Sequence, residues 1–135
     1  MFTLLFALFT IIQVGLGANS CGTSCTWSYA NGVLTFTGSG AIKDYNYTVK
    51  PEWNKHSNEA TEIVISEGIT EIGKYAFQVL PKVHTVHLPK SLSVINEEVF
   101  TELESLLTID LNSGSTSFVI YEGVLFNYDK TALFR

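Results

Sequence analysis

Residues 67–77 of the chain are EGITEIGKYAF, and residues 90–100 are KSLSVINEEVF. The polar residues differ between the two segments, but three apolar positions recur at an offset of 23 residues: Ile69 and Leu92, Ile72 and Ile95, and Phe77 and Phe100. A constant apolar skeleton at a constant interval is typical of repeat proteins, in which each unit buries its apolar side chains against the next unit.

The repeat extends beyond these segments and divides the second half of the chain into residues 60–82, residues 83–105 and a partial third unit at 106–135. Further apolar columns at the same offset are Ala60/Val83/Leu106, Ile63/Val86/Ile109, Ile65/Leu88/Leu111 and Leu80/Leu103. Each unit begins with the L-x-x-L-x-L spacing of leucine-rich repeats, which predicts a short strand parallel to its equivalents. The return stretch of each unit has the apolar spacing of a turn or short helix. We therefore predict an α/β solenoid with leucine-rich repeats of about 23 residues.

The region before the repeats, residues 19–59, is predicted to form an N-terminal β-hairpin cap and a connection. Asn31-Gly32 lies between two runs of strand-forming residues and favours a type I′ turn. That turn predicts two cross-strand pairs on one apolar face: Trp27 with Phe36 and Tyr29 with Leu34. Trp53 is predicted to anchor the polar connection that follows.

The first 18 residues are predicted to be a secretory signal peptide, because they carry no charge, are apolar over most of 2–12 and end in small residues. A membrane-spanning helix and a buried core helix are the alternatives, although the apolar run is shorter than the ~20 residues that a bilayer requires. Secretion favours a short-loop disulfide between Cys21 and Cys25. The tripeptide that begins at Asn46 is an N-glycosylation acceptor pattern. We predict no metal site and no cofactor.

The repeats and both flanks resemble those of BspA-type leucine-rich repeat surface proteins. The repeat segments that carry the resemblance are IVISEGITEIGKYAF (63–77) and VHLPKSLSVINEEVF (86–100). CGTSCTWSYANGVLTFTGSGAIKDY (21–45) resembles the cap that precedes such arrays, and YEGVLFNYDKTALF (121–134) resembles a hairpin that branches out of a repeat. The resemblance implies a secreted or cell-surface protein that adheres to host cells, matrix proteins or other microbes.

The chain departs from the family pattern in two respects. Asn96-Glu97 stands where the family usually has glycine after Ile95, and the array has few repeats. We therefore predict an open C-terminal end that exposes Ile109, Leu111 and their strand edge, with possible self-association there. A truncated structural fragment of a larger surface antigen, with no ligand of its own, is the alternative to an adhesin.

One face of the strand row is predicted to stay uncovered and to bind a partner. Its side chains form two columns: Glu62/Thr85/Thr108 and Val64/His87/Asp110. Neighbouring strands would bring His87 and Asp110 within hydrogen-bonding reach. This pair is either a pH-sensitive patch for a partner or a solvated surface pair worth ~0–1 kcal/mol.

Charge and motif content favour binding to a protein or glycoprotein over other functions. The net charge of −5 argues against nucleic acid, whose phosphates attract clustered lysine and arginine. The sequence has no G-x-S-x-G elbow, no Walker loop and no H-E-x-x-H motif. We therefore predict that the chain is not an enzyme, and a secreted hydrolase is the weakest of the alternatives.

Overall fold

The computed structural model describes residues 19–129 and 133–134. The predicted signal peptide, residues 1–18, lies outside these residues. The described elements, in chain order, are β1 (Cys25–Ala30), β2 (Val33–Gly38), β3 (Gly40–Ile42), a 3-10 helix (Glu52–His56), β4 (Glu62–Ile65), β5 (Ile69–Ile72), β6 (Thr85–Leu88), β7 (Val94–Ile95), β8 (Thr108–Leu111), β9 (Phe118–Tyr121), β10 (Val124–Asn127) and β11 (Leu133–Phe134).

The first two strands form the predicted hairpin. Asn31 and Gly32 both have positive φ angles, 51° and 83°, as a type I′ turn requires. The turn sets the predicted register, in which two pairs face each other: Trp27 with Phe36 and Tyr29 with Leu34. The sequence therefore predicted this hairpin correctly, including its apolar face.

A five-stranded sheet in the order β1-β2-β4-β6-β8 combines the hairpin with the repeats. Strands β2, β4, β6 and β8 run parallel, and their residues pair one to one. The central buried row of this sheet is Leu34, Ile63, Val86 and Ile109. The second strand of the cap therefore serves as the first parallel strand of the array, which the sequence did not reveal.

A second, smaller parallel sheet in the order β3-β5-β7 faces the same core. It joins the cap to the first two repeats, because Ile42, Ile72 and Ile95 follow one another across its strands. All three side chains are buried. The apolar positions Ile72 and Ile95 therefore stack in register, as their shared column predicts.

The return stretch of each repeat contains turns rather than a helix, so the α part of the α/β prediction was wrong. The described residues contain no α-helix. Positive φ angles recur at the 23-residue interval, at Tyr75 (57°) and Glu98 (59°), and at Val79 (55°) and Glu102 (59°). A right-handed helix cannot pass through such residues. Backbone hydrogen bonds instead join the turns of the first two repeats. The Phe77 amide donates to the Val99 carbonyl at 3.2 Å, and the Val79 amide donates to the Thr101 carbonyl at 3.0 Å.

The aromatic core lies between the two parallel sheets and the turns. Phe77 is fully buried between two rings, with centroid distances of 5.1 Å to Phe36 and 6.4 Å to Phe100. Phe100, one repeat further on, is only half-buried. The aromatic core is therefore more enclosed at Phe77, which has a ring on each side, than at Phe100.

Trp53 anchors the connection between the cap and the repeats, as predicted. The 3-10 helix places its ring at full burial, in a T-shaped contact with Phe36 at a centroid distance of 4.9 Å. Its indole N–H donates to the Ala76 carbonyl at 2.9 Å. A buried indole that satisfies its N–H in this way ties the helix to the first turn of the repeats.

The third repeat continues into a three-stranded antiparallel sheet in the order β11-β10-β9. Its buried side chains Phe118 and Leu125 belong to the common core. The prediction that Ile109 is exposed was wrong, because it keeps only 8% of its surface, and Leu111 is half-buried. Leu107, in contrast, is exposed, with 84% of its surface accessible.

Candidate functional site

The outer face of the five-stranded sheet carries the six predicted binding residues. Strand alternation turns Ile63 and Ile65 inwards and Glu62 and Val64 outwards. The ladder then aligns the predicted columns as two rows: Glu62, Thr85 and Thr108 in one, and Val64, His87 and Asp110 in the other. Their placement side by side is a feature of the structure, and a role in binding remains a prediction.

His87 connects three neighbouring strands through its side chain. Its Nδ1 lies 3.0 Å from Oδ2 of Asp110 on β8, as predicted. Its Nε2 lies 2.5 Å from Oε1 of Glu62 on β4. The column alignment missed this second contact, because it places Glu62 opposite Thr85. A long side chain can reach the diagonal neighbour on the next strand, and glutamate does so here.

The two carboxylates favour the charged form of the His87 ring. Partial burial on its own would lower the pKa of His87, but the hydrogen bonds and charges of Asp110 and Glu62 outweigh it and raise the pKa above its ordinary value. A neutral imidazole has one N–H, whereas the imidazolium has two. Only the imidazolium can donate to both carboxylates while they are ionised.

An open cleft of about 630 Å³ lies beside His87, at the carboxyl ends of β4, β6 and β8. Its lining combines apolar and polar side chains, which include Val64, Glu67, His87, Leu88, Pro89, Asp110 and Asn112. The strand ends thus provide a concave surface with apolar contact area and several hydrogen-bonding groups. Such a mixture suits a ligand that is itself partly apolar and partly polar.

Glu67, which sequence analysis did not single out, holds the loops around this cleft together. Its carboxylate accepts hydrogen bonds from the backbone amides of Lys90 (2.9 Å) and Ser91 (3.2 Å) and from the side-chain amide of Asn112 (2.9 Å). The Lys90 amide is the main cause of the lowered pKa of Glu67. The equivalent position in the next repeat is Lys90 itself, so the repeat pattern gave no signal for this role.

A second cleft of about 360 Å³ lies at the predicted open end, between the third repeat and the turn of the β9-β10 hairpin. It is lined by Leu103, Leu106, Leu107, Thr108, Ile109, Gly123 and Val124. Its apolar lining and the exposure of Leu107 are consistent with a surface that is prone to self-association. Self-association at this end stays a prediction.

The other predicted sites lie away from the outer face of the sheet. Cys21 and Cys25 form a disulfide in a loop whose backbone contacts Lys43 after β3. Asn46 is exposed, and its side-chain oxygen accepts hydrogen bonds from the hydroxyl (2.8 Å) and amide (3.0 Å) of Thr48. The Asn46 carbonyl accepts from the side chain of Gln78 at 2.7 Å, which places this loop on the turn side of the repeats.

Two further properties concern metals and membranes. Within residues 19–129, no group of three or more His, Cys, Asp or Glu side chains is arranged to hold a metal ion. In the part of the chain that the structure describes, no helix has the length and apolar character that crossing a membrane requires.

The repeats of this chain are similar to those of known proteins. The family model for the BspA type leucine rich repeat region matches residues 41–130, in six copies. No curated protein shows a significant match. Among solved structures, a leucine-rich repeat protein from Eubacterium ventriosum ATCC 27560 matches 82% of this chain at 18% identity, with a TM-score of 0.47. The chain spans about half (48%) of the length of that protein. From the family match over its repeats, the chain belongs to the BspA-type leucine-rich repeat family.

Proposed function

We propose that the chain is a secreted or cell-surface recognition protein that adheres to a protein or glycoprotein on host cells or in the extracellular matrix. The observation that carries this proposal is the outer face of the parallel strands, where Val64, His87 and Asp110 stand in one row beside an open cleft. Adhesion, host binding and secretion are suggested by the family resemblance, and the action of the chain is binding rather than catalysis.

The two faces of the sheet differ in how their residues vary between repeats, and this difference supports a role in recognition. Inward positions stay apolar from repeat to repeat, as in the row of Ile63, Val86 and Ile109. Outward positions change chemistry, and one row passes from valine through histidine to aspartate. We propose that the repeats wind as a solenoid whose core is constrained by packing and whose outer face is free to vary for a ligand.

The cleft fits a protein surface better than a nucleic acid. Leu88 and Pro89 offer apolar contacts, while Asp110 and Asn112 offer hydrogen-bonding groups. The strands β4, β6 and β8 carry no lysine or arginine, and the chain has a net charge of −5. Phosphate backbones would be repelled by such a face, whereas mixed protein or glycoprotein surfaces would not.

Secretion to the cell surface is supported by three features. Residues 1–18 have the composition of a signal peptide. The disulfide between Cys21 and Cys25 suits an oxidising compartment. Asn46 is exposed in a surface loop, and a glycan there would leave the outer face of the sheet uncovered.

A binding screen tests the proposal. The purified protein is titrated onto cultured epithelial cells and onto immobilised collagen, fibronectin, laminin and mucin. We expect concentration-dependent, saturable binding to at least one of these surfaces. Folded protein that shows no saturable binding to any of them would contradict an adhesive role and favour a structural fragment without a ligand.

A further inference from the structure

The side chain of His87 joins three successive repeats at the surface. It lies on the middle strand β6 and contacts Glu62 on β4 and Asp110 on β8, which are separated from each other by the full width of that strand. Strand β8 is the last parallel strand of its sheet. The His87 side chain therefore connects this edge strand to the rest of the sheet through side-chain hydrogen bonds, in addition to the backbone hydrogen bonds between the strands.

The protonation state of His87 decides whether its ring can bond to both carboxylates. Among the described residues, the titratable groups that face the ring are Glu62 from β4 and Asp110 from β8. Glu67 lines the same cleft, but its oxygens already accept hydrogen bonds from Lys90, Ser91 and Asn112. A charged ring can donate to both of its carboxylates, whereas a neutral ring can donate to one.

We propose that His87 is a proton-dependent clasp that regulates the recognition surface. When the ring is charged, it holds Glu62 and Asp110 together, fastens β8 to β4 and leaves one net negative charge on the cluster. When the ring loses its proton, one carboxylate turns to solvent, the edge strand loosens and the cluster carries two negative charges. This inference rests on the proposed role of the outer face in binding.

The direction of the pH effect follows from the carboxylate contacts. The pKa of His87 is raised in the folded protein, against the opposing effect of burial, by Asp110 and Glu62. The clasp is therefore complete below the ordinary histidine pKa of about 6.5. It is lost as the pH rises through the raised value of the folded protein. A ligand thus meets a tighter and less negative surface in mildly acidic surroundings than in alkaline ones.

The clasp can be tested without a ligand, by NMR on the protein in solution. The first measurement is the pH titration of the His87 ring. We expect a midpoint above about 6.5, and we expect Glu62→Gln and Asp110→Asn each to lower it. A midpoint at or below the ordinary histidine value would overturn the proposal.

The second measurement is amide hydrogen exchange of Thr108–Leu111, corrected for the intrinsic pH dependence of exchange. Protection of these amides is expected to fall by about two- to fivefold as the pH rises through the His87 midpoint, the range for partly exposed ion pairs. His84→Gln is the matched control, because His84 bonds to the Thr85 hydroxyl rather than to a carboxylate. The pH effect is expected to persist in His84→Gln and to disappear in His87→Gln.

Protection of β8 that does not change with pH, or that changes equally in His87→Gln, would overturn the clasp. If His87→Gln does not fold, Glu62→Gln and Asp110→Asn provide the same comparison with the ring retained. The outcomes separate this inference from the proposed function, since NMR requires no partner. If NMR detects the clasp but the protein binds no ligand, the adhesive role is refuted. If the protein binds a ligand but NMR detects no clasp, the pH regulation is refuted.

Discussion

Ile63 and Val86 lie side by side on neighbouring parallel strands, and both are completely buried. They are 23 residues apart in sequence, so one repeat of the chain advances the sheet by one strand. Ile109 continues the same row on the next strand. This arrangement determines which side chains face the core and which face solvent in every repeat.

Phe77→Ala is expected to lower the free energy of unfolding by ~3–5 kcal/mol, because it removes a fully buried ring between two other rings. Phe100→Ala provides the matched control, since Phe100 occupies the equivalent position but is half-buried, and its cost should be roughly half as large. Urea unfolding followed by fluorescence measures both. Equal costs, or a cost under about 1 kcal/mol for Phe77→Ala, would show that the core is assigned wrongly.

Gly68→Ala is expected to be more destabilising than Gly123→Ala. Both glycines have positive φ angles, 107° and 78°, so each alanine introduces backbone strain of about 1–2 kcal/mol. An added Cβ at Gly68 would also lie 2.3 Å from the Gly38 carbonyl oxygen, whereas the space at Gly123 is open. Overpacking should add about 1–3 kcal/mol at Gly68. Similar unfolding midpoints for the two variants would contradict the close approach of the first repeat to the cap.

Glu67→Gln is expected to reduce the sensitivity of the protein to acid. The backbone amide of Lys90, with Asn112 and Ser91, holds the pKa of Glu67 below its usual value. The ionised carboxylate therefore stabilises the fold above its ordinary pKa, and this contribution is lost as the pH falls through the lowered value. Urea midpoints measured from neutral to acidic pH should fall less steeply for Glu67→Gln than for wild type. The exposed Glu104 supplies the control, and Glu104→Gln should follow the wild-type profile.

Expression in a eukaryotic secretory host is expected to add an N-linked glycan at Asn46, because this residue is exposed and belongs to an acceptor tripeptide. Mass spectrometry before and after treatment with an N-glycosidase measures the modification. Asn46→Gln and Thr48→Ala should both abolish it, whereas Asn58→Gln, which changes an exposed asparagine outside such a tripeptide, should not. Secreted wild-type protein without a glycan would refute the prediction.

The sequence predicted those parts of the fold that depend on local pattern. Asn31-Gly32 set the hairpin register, and the apolar columns set the strand register, because turn chemistry and alternation act over a few residues. The sequence could not distinguish turns from a short helix in the return stretch, since an apolar spacing of three to five suits both. The left-handed φ angles of Tyr75 and Val79 are unusual for their residue types, and the Val79 amide donates to the Thr101 carbonyl of the next repeat.

The candidate site was only partly predictable for a related reason. Its rows follow from strand register, so His87 and Asp110 could be paired from sequence. The diagonal reach of Glu62 and the loop contacts of Glu67 depend on side-chain conformation, which repeat alignment does not contain. The burial of Ile109 depends on the packing of β9 and β10, whose Phe118 and Leu125 join the same core, and this is set by tertiary contacts rather than by the repeat.

The role of the outer face in recognition is tested most directly by comparing two multiple variants in binding to cultured epithelial cells and immobilised matrix proteins. One variant changes Val64, His87 and Asp110 together to alanine, and the other changes Lys74 and Glu97, an exposed ion pair at 3.6 Å on the turn side. Urea unfolding first establishes that both variants are folded. We expect at least about a tenfold loss of affinity for the first variant and little change for the second. Full binding by the first variant, or an equal loss in the second, would contradict the assignment of the outer face as the recognition surface.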